Sequence, residues 1–402
     1  MVQAFLLRCR RRLQDMCAQP GGQWWSCAAL PSRMRAPRRT PVAVTCTMNV
    51  SSPVPHVKQQ LIYLLYGERR IYQLEAKLSI LTAVARCKPA ELPVIRVLTD
   101  QPQAFVGWPV EVITLDEQTL QAWTGDGGYT HRRKACAIAQ AGQWADKTVF
   151  IDTDTVFLQS PLKLFSQVDA GQFLVDEVEK SWAEASRSSD YLRFSAGLAA
   201  AGHAPADDLR LCNSGVMGFT RCNVGIAERA IPRIDAWTPY TDDLHTIEQI
   251  AFSFELHGAQ LNEARGVISH YFAMKQYVHA ILEIFFARHG EGFHPQMPRL
   301  ALKVPAHRPV PSWLARLSVK WSLKRVPREL RGIGRKLLYG SVMSSDDYQR
   351  ACKVIWWRSA IDDMRKQGGI DWSQEWPAGL PRLGRRDERA FSEIARDSMK
   401  VS

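Results

Sequence analysis

The chain has 402 residues, 46% of them hydrophobic and 23% charged, which is the composition of an ordinary soluble globular protein with one large α/β domain or two modest ones. Its net charge of +12 is concentrated in residues 1–47 and 312–338, each with eight basic residues and one acid, so the near-neutral remainder argues against a nucleic-acid-binding protein with a basic working face. No apolar run approaches the roughly 18 residues of a membrane span, and nine scattered cysteines without a C-x-x-C pair predict reduced thiols and a cytoplasmic location.

The sequence of residues 1–47 is unlike that of a folded domain, because it contains clusters of arginine, proline and glycine without helical or strand periodicity. Their positive charge follows the short apolar run at residues 5–7, whereas a secretory signal has its charge first. We interpret residues 1–47 as a disordered or spurious extension with translation starting at Met48, and an organellar transit peptide is the alternative.

Strand and helix patterns alternate from about Gln60 onward. Apolar runs predict strands at 61–65, 93–98, 110–115, 173–175, 216–219 and 267–269, with a further strand leading into Asp152. Apolar residues at helical spacing and the local turn signals predict helices at 69–86, 130–144, 224–236 and 246–257. This alternation predicts an α/β fold with a mainly parallel sheet that carries helices on both faces. The segment 181–208 is predicted to be a loop that closes over a bound donor.

The most informative segment is Val149–Phe157, in which a buried strand runs into Asp152 and Asp154, the chain's single Asp-x-Asp. In α/β sheets, ligands bind at the carboxyl ends of the strands. Mn²⁺ and Mg²⁺ prefer oxygen ligands and share carboxylates with substrate phosphates. We therefore predict a metal–diphosphate site here, with a solvated surface turn as the alternative.

Several other segments carry polar groups at predicted strand or helix ends. Tyr66-Gly67 follows the first strand and suits a nucleobase, and Arg133 and Lys134 open a helix from which a cation can reach a diphosphate. Asn213, Ser214 and Gly215 precede a strand and suit sugar hydroxyls. Each has an ordinary alternative, namely a turn or a solvated basic helix start.

Glu248 and Gln249 lie early in a predicted helix, where they could face the anomeric carbon of a sugar or form a solvated first turn. Asp176 ends a predicted strand and is assigned to the donor-sugar pocket. His270 follows the last predicted strand and becomes a third metal ligand if it returns beside the two aspartates.

The order of these segments resembles the GT-A class of nucleotide-sugar glycosyltransferases over residues 60–290. This resemblance implies a catalytic domain at residues 58–290 with a mixed, mainly parallel Rossmann-like sheet flanked by helices. Within that class the chain is most similar to the family 8 enzymes, which include lipopolysaccharide galactosyltransferases and glycogenins. The resemblance implies Mn²⁺ (or Mg²⁺) on Asp152, Asp154 and His270, a UDP-sugar donor, and an acceptor saccharide or lipid-linked glycan. It also implies a phosphate contact from Lys275 and catalytic roles for Glu248 and Gln249, with Glu replacing the family's Asp. Neither retention nor inversion is favoured.

Two other functions fit parts of the sequence. Asp152–Val156 also matches the D-x-D-x-[TV] nucleophile pattern of haloacid-dehalogenase-type aspartyl phosphatases, a fold that normally begins near this strand. A non-enzymatic, basic membrane-surface-binding protein would account for the two charged segments alone.

Residues 291–402 are predicted to form a basic, tryptophan-rich helical extension. Within it, residues 312–338 combine tryptophan and leucine with lysine and arginine around Pro327, which predicts peripheral attachment to the anionic inner face of a membrane. The alternative is an ordinary helix pair packed on the catalytic domain. The apolar residues of this segment are Trp313, Leu314, Leu317, Trp321, Leu330, Ile333 and Leu337.

Overall fold

The computed structural model describes residues 53–189, 191–240, 244–343, 346–366 and 376–400, so the predicted extension at 1–47 lies outside the described residues. The strands of the described chain are β1 (Val57–Leu65), β2 (Val94–Thr99), β3 (Glu111–Thr114), β4 (Ala145–Ile151), β5 (Thr155–Phe157), β6 (Gln172–Ser181), β7 (Arg210–Thr220), β8 (Gln260–Glu263) and β9 (Ile268–His270). The helices up to residue 255 are α1 (Arg70–Ala85), α2 (Glu117–Thr124), α3 (Arg132–Ala141), α4 (Leu162–Phe165), α5 (Trp182–Ala185), α6 (Leu192–Ala200), α7 (Gly225–Trp237) and α8 (Ile247–Glu255). Those beyond it are α9 (Lys275–His289), α10 (Met297–Ala301), α11 (Trp313–Ser322), α12 (Arg331–Val342), α13 (Asp347–Lys366) and α14 (Arg385–Lys400).

Seven strands form the main sheet in the order β3-β2-β1-β4-β7-β6-β8. All neighbouring pairs are parallel except those of β7, which is antiparallel to both β4 and β6. The predicted mixed, mainly parallel α/β sheet is therefore confirmed. The predicted helices at 69–86, 130–144, 224–236 and 246–257 are present with ends shifted by up to three residues.

Helices cover both faces of the sheet, which explains the continuous apolar runs. Neighbouring residues of one strand enter opposite cores, so that Leu61 and Val149 belong to one apolar cluster, and Ile62 and Phe150 to the other. A strand buried on both faces needs apolar residues at consecutive positions rather than at alternate ones.

The direction of β7 corrects one sequence prediction. The strand predicted at 216–219 begins already at Arg210, so Asn213, Ser214 and Gly215 lie inside it rather than before it. Because β7 runs opposite to β4, its first half lies at the edge where the parallel strands end.

The segment 181–208 is not the single loop that was predicted. It contains α5 and α6, and α5 begins with a capping box in which the Ser181 side chain and the Glu184 side chain each accept a hydrogen bond from the other's backbone N–H. Trp182, Phe194 and Leu198 of these helices are buried in the core. The sequence prediction missed these helices because the segment is rich in Ser, Ala and Gly, and its few large apolar residues are widely spaced.

A second, two-stranded sheet pairs β5 with β9 in antiparallel register, with Thr155 opposite His270. The backbone N–H of Tyr271 also donates to the carbonyl of Asp154 at 3.0 Å. This pairing ties the chain after the second aspartate to a segment far along the sequence.

The C-terminal helices share the core of the sheet and also build their own. Cys352 and Trp356 of α13 pack in the same cluster as Tyr277 of α9, while Trp357 and Ile361 join a separate cluster with α12 and α14. No helix of the described chain is long and apolar enough to cross a membrane.

The basic segment 312–338 does not present its apolar residues on one face. Ile333 and Leu337 are buried and Leu330 is half-buried, whereas the apolar residues of α11 that the prediction grouped with them are exposed. The exposed members are Trp313, Leu314, Leu317 and Trp321.

Candidate metal and donor site

The two aspartates lie in the turn between β4 and β5. The backbone N–H of Asp152 donates to the carbonyl of Gly215 on β7 at 2.8 Å, and the Thr155 hydroxyl donates to the carbonyl of Asp152 at 2.9 Å. These bonds fix the turn so that both carboxylates lie at the carboxyl edge of the main sheet, as the apolar run before them predicted.

His270 comes back beside the aspartates through the β5–β9 pairing. Its Nε2 lies 3.3 Å from Oδ1 of Asp154, and one ligand atom from each of Asp152, Asp154 and His270 lies within 4.8 Å of the others. The structure therefore brings together all three residues that the sequence proposed as metal ligands.

Asp176 holds the other side of the histidine ring. Its Oδ2 lies 2.6 Å from His270 Nδ1, and an ionised carboxylate can only accept, so Nδ1 carries the proton in this contact. Burial alone would lower the pKa of His270, but hydrogen bonds and charge from Asp154 and Asp176 raise it to about 10. Asp176 thus orients His270, whereas the sequence assigned it to the sugar pocket.

The donor atoms fit a divalent cation. Oδ2 of Asp154 is buried and accepts no hydrogen bond, although the Lys275 ammonium is 3.0 Å away. Burial would raise the pKa of Asp154, but His270 and Lys275 hold it well below its usual range, so an ionised oxygen is available. Two carboxylates and an imidazole whose Nδ1 proton is held by Asp176 form a donor set that suits Mn²⁺ once Nε2 has lost its proton.

Gly215 makes room for the histidine. A Cβ at this position would lie 2.3 Å from Cε1 and 2.4 Å from Nδ1 of His270, closer than any side chain permits. The glycine that the sequence assigned to sugar binding is therefore required for the position of the His270 ring.

Lys134 connects Asp152 to a further buried acid, Glu248. Its Nζ lies 3.0 Å from Asp152 Oδ2 and 3.4 Å from Glu248 Oε1. Burial would lower the pKa of Lys134, but these two carboxylates raise it above its usual range. Burial also raises the pKa of Asp152, against the opposing charge of Lys134.

Glu248 is buried and fully bonded. Its Oε1 accepts from Ser214 at 2.7 Å and its Oε2 accepts from the Tyr129 hydroxyl at 3.2 Å. Burial would raise the pKa of Glu248, but Lys134, His131 and the Ser214 hydroxyl lower it below its usual range. Glu248 is therefore an ionised carboxylate held in place, and the competing prediction of a solvated first helical turn is wrong.

Tyr66, Gly67 and Arg133 form a neighbouring group at the end of β1. The Arg133 guanidinium lies 4.3 Å from the centre of the Tyr66 ring, and its Nε donates to the carbonyl of Leu120. Gly67 has a φ of +83° and donates its N–H to Asp100. Arg133 thus packs on Tyr66, the residue that the sequence predicts to contact a nucleobase. Of the two basic residues, Lys134 is the one that contacts Asp152 and Glu248.

Asn213 and Gln249 converge on an acid that the sequence did not single out. Their amide nitrogens lie 3.5 Å and 3.4 Å from the two carboxylate oxygens of Glu179. Burial raises the pKa of Glu179. The signal was hidden because two irregularities of register in β6 alter the alternation of its side chains.

Two further residues support the site from behind. Tyr129, which follows the glycines of the loop before α3, donates to both Glu248 and the carbonyl of His245. Glu75 on α1 is fully buried and accepts from the Thr153 hydroxyl at 2.9 Å, and it lies 2.7 Å from His279. An acid inside a helical apolar pattern was the available signal for Glu75.

Comparison with known proteins gives a limited result. No protein-family model and no curated protein match the chain. Among solved structures it is similar to the apo bifunctional glycosyltransferase WbbM, at 12% identity over 53% of this chain and 40% of that one, with a TM-score of 0.34. It is also similar to apo mouse xyloside xylosyltransferase 1, at 13% identity over 52% of this chain and 85% of that one, with a TM-score of 0.35. Both TM-scores are low, so neither similarity carries an assignment of activity.

Proposed function

We propose that the protein is a metal-dependent glycosyltransferase that moves the sugar of a nucleotide-sugar donor, a UDP-sugar, to a hydroxyl acceptor. The observation that carries this proposal is the convergence of Asp152, Asp154 and His270 at the carboxyl edge of the sheet, with Asp154 ionised between His270 and Lys275. The resemblance of residues 60–290 to family 8 of the GT-A class agrees with it. In this proposal residues 58–290 form the catalytic domain, and residues 291–402 form a C-terminal helical extension of it.

The transfer requires a sugar–phosphate bond to break while negative charge develops on the leaving diphosphate. Mn²⁺ (or Mg²⁺) held by Asp152, Asp154 and His270 would neutralise that charge. The Asp176 carboxylate accepts a hydrogen bond from His270 Nδ1 and so holds the ring in the orientation that ligation requires.

Lys275 and Lys134 supply fixed positive charge beside the same position. Lys275 lies 3.0 Å from Asp154 and is part-exposed, so its ammonium can turn to a diphosphate. Lys134 is buried between Asp152 and Glu248 and is already paired. We assign the phosphate contact to Lys275 and a positioning role to Lys134.

Glu248 is suited to stabilise positive charge at the anomeric carbon. Its ionised carboxylate is held by Ser214 and Tyr129 and needs no rearrangement when that charge develops. Gln249 and Asn213, which meet at Glu179, are placed to hydrogen-bond sugar hydroxyls. The acceptor in this proposal is a saccharide or a lipid-linked glycan.

The nucleoside of the donor is assigned to the end of β1. Tyr66 presents an aromatic ring already backed by the Arg133 guanidinium, and Gly67 allows the backbone to turn there. A base stacked on this pair would leave its diphosphate pointing along the sheet edge toward Asp152.

The phosphatase alternative fits the structure less well. A haloacid-dehalogenase fold begins near its nucleophile strand, whereas three strands of this sheet precede β4 in the chain.

Titration calorimetry of UDP into the full chain tests the proposal, with Mn²⁺ and with EDTA, on the wild type, Asp154→Asn and Asp146→Asn. Asp146 is the second residue of β4, the strand that leads into Asp152, and its side chain is exposed, so it serves as the matched control. We expect binding only with Mn²⁺, weakened about 100-fold or more in Asp154→Asn because a ligand is lost, and unchanged in Asp146→Asn. Metal-independent binding, or equal binding by the two variants, would refute the metal site. Hydrolysis of p-nitrophenyl phosphate with Mg²⁺, lost in Asp152→Asn, would favour the phosphatase instead.

A further inference from the structure

Helix α11 is attached to the protein by one face only. Val319 and Leu323 are buried in a small cluster with Val326, against the half-buried Tyr339 and Val342 of α12. The Ser312 side chain accepts a hydrogen bond from the backbone N–H of Ala315 and so caps the start of the helix. The helix is thus fixed in place while the rest of its circumference faces outward.

The outward face carries large apolar side chains. Trp313, Leu317 and Trp321 are spaced four residues apart and so share one side of the helix, with Leu314 next to them. Trp313 is 64% exposed, Leu314 69% and Trp321 67%. Scattered exposed apolar residues are common, but four together on three turns mark an interaction surface.

Cations that have no acidic partner among the described residues flank this stripe. Seven exposed basic side chains lie on α11, on α12 and between them, and none of the seven forms an ion pair with a carboxylate in the part of the chain that the structure describes. They are Arg316, Lys320, Lys324, Arg325, Arg328, Arg331 and Arg335.

A groove between α11 and α12 combines the two kinds of side chain. Trp313 and Leu317 line it on the side of α11, and Tyr339 lines it on α12. Arg316, Lys320, Lys324, Arg331 and Arg335 surround it. The groove therefore offers cations for a phosphate group beside an apolar wall for a hydrocarbon chain.

We propose that the outer face of α11, together with this groove, docks the protein on a bilayer that contains anionic phospholipid. In this arrangement α11 lies parallel to the membrane, and Trp313, Leu314, Leu317 and Trp321 enter the interface while the cations meet the lipid phosphates. The groove between α11 and α12 receives an anionic headgroup.

Charge argues against other occupants. A second copy of the same face would bring seven unpaired cations against seven, and residues 1–47 of the chain are themselves strongly basic. A polyanion would satisfy the cations but would leave Leu314 and Leu317 exposed. An anionic lipid surface satisfies both the charged and the apolar groups.

Sedimentation of the full chain with vesicles tests the proposal. We compare phosphatidylcholine vesicles containing about 30% phosphatidylglycerol with pure phosphatidylcholine, and expect binding only to the former, weakening as salt is raised. Lys320→Glu with Lys324→Glu should weaken binding about 25-fold or more, because each cation near the surface contributes roughly fivefold. Trp313→Ser with Trp321→Ser should weaken it at least about tenfold.

The matched control is Arg386→Glu with Arg389→Glu, which changes the net charge equally at exposed positions of α14. We expect it to retain binding to within about threefold, since neither arginine lines the groove between α11 and α12. Equal losses in the two charge-reversal variants would overturn the proposal, because net charge alone would then explain binding. So would equal sedimentation with both vesicle types, a dimer that Trp313→Ser with Trp321→Ser dissociates, or binding to a polyanion without binding to vesicles. Thermal unfolding of each variant verifies that the fold is intact.

Discussion

The carboxyl edge of the main sheet and the outer face of α11 both combine lysines with aromatic rings, yet they treat charge in opposite ways. At the sheet edge, Lys134 is buried, lies over the Phe150 ring and is paired with Asp152 and Glu248. On α11, Lys320 is exposed and has no described acidic partner. A buried, paired cation fixes its neighbours, whereas an exposed, unpaired cation is free to attract a distant partner.

A lysine therefore contributes to stability and ligand binding in one region and to association in the other, although the two count equally in the composition. Removing a charge from the sheet edge leaves partners buried without compensation, so stability and ligand binding should both suffer. Removing one from α11 leaves nothing unsatisfied, so only association should change. The substitutions below test that division, from the largest expected effect to the smallest.

Lys134→Met should lower the free energy of unfolding by about 3–5 kcal/mol, because Asp152 and Glu248 would remain buried without their shared cation. Urea denaturation followed by circular dichroism measures the change. A loss below about 1 kcal/mol would contradict the view that this lysine balances two ionised acids.

Gly215→Ala should cost about 1–3 kcal/mol of stability through overpacking and should also weaken Mn²⁺ binding, because the new methyl group displaces His270. Gly218→Ala on the same strand is the matched control. Its Cβ would meet Val168 and Leu174 at 2.8 Å and 2.9 Å, so it crowds the core without touching the histidine. Manganese titration should separate the variants, and equal affinities would show that His270 is not a ligand.

Asp176→Asn should reduce Mn²⁺ affinity by about 10–100-fold in the presence of UDP, because the carboxylate that orients the His270 ring is lost. Glu177→Gln, at an exposed neighbour that pairs with Arg265, should leave the affinity unchanged. If Asp176 instead binds the sugar, Asp176→Asn would alter the KM for the donor while manganese affinity stayed constant.

Lys320→Met should change the free energy of unfolding by no more than about 0.5 kcal/mol, since its charge is exposed and unpaired. The same denaturation experiment measures it beside Lys134→Met. A large loss would mean that the α11 cations stabilise the fold, which would weaken the case for an external partner.

The site was only partly predictable. Asp152 and Asp154 could be predicted because a run of apolar residues ends abruptly in two acids. This pattern is local and requires no knowledge of the rest of the fold. Glu179 and Glu75 give no comparable signal. Glu179 reaches Asn213 and Gln249 through irregular register in β6, and Glu75 meets Thr153 through the packing of α1.

The sequence by itself determined the alternation of strands and helices and the position of the acidic turn, because hydrophobic periodicity and strand ends are local properties. Only the tertiary structure decided that β7 runs antiparallel, which brings Ser214 to Glu248 and Gly215 to His270. It likewise decided which face of α11 is buried, since the same periodicity allows either side to pack. Both outcomes depend on contacts between segments far apart in the chain, and no local pattern records them.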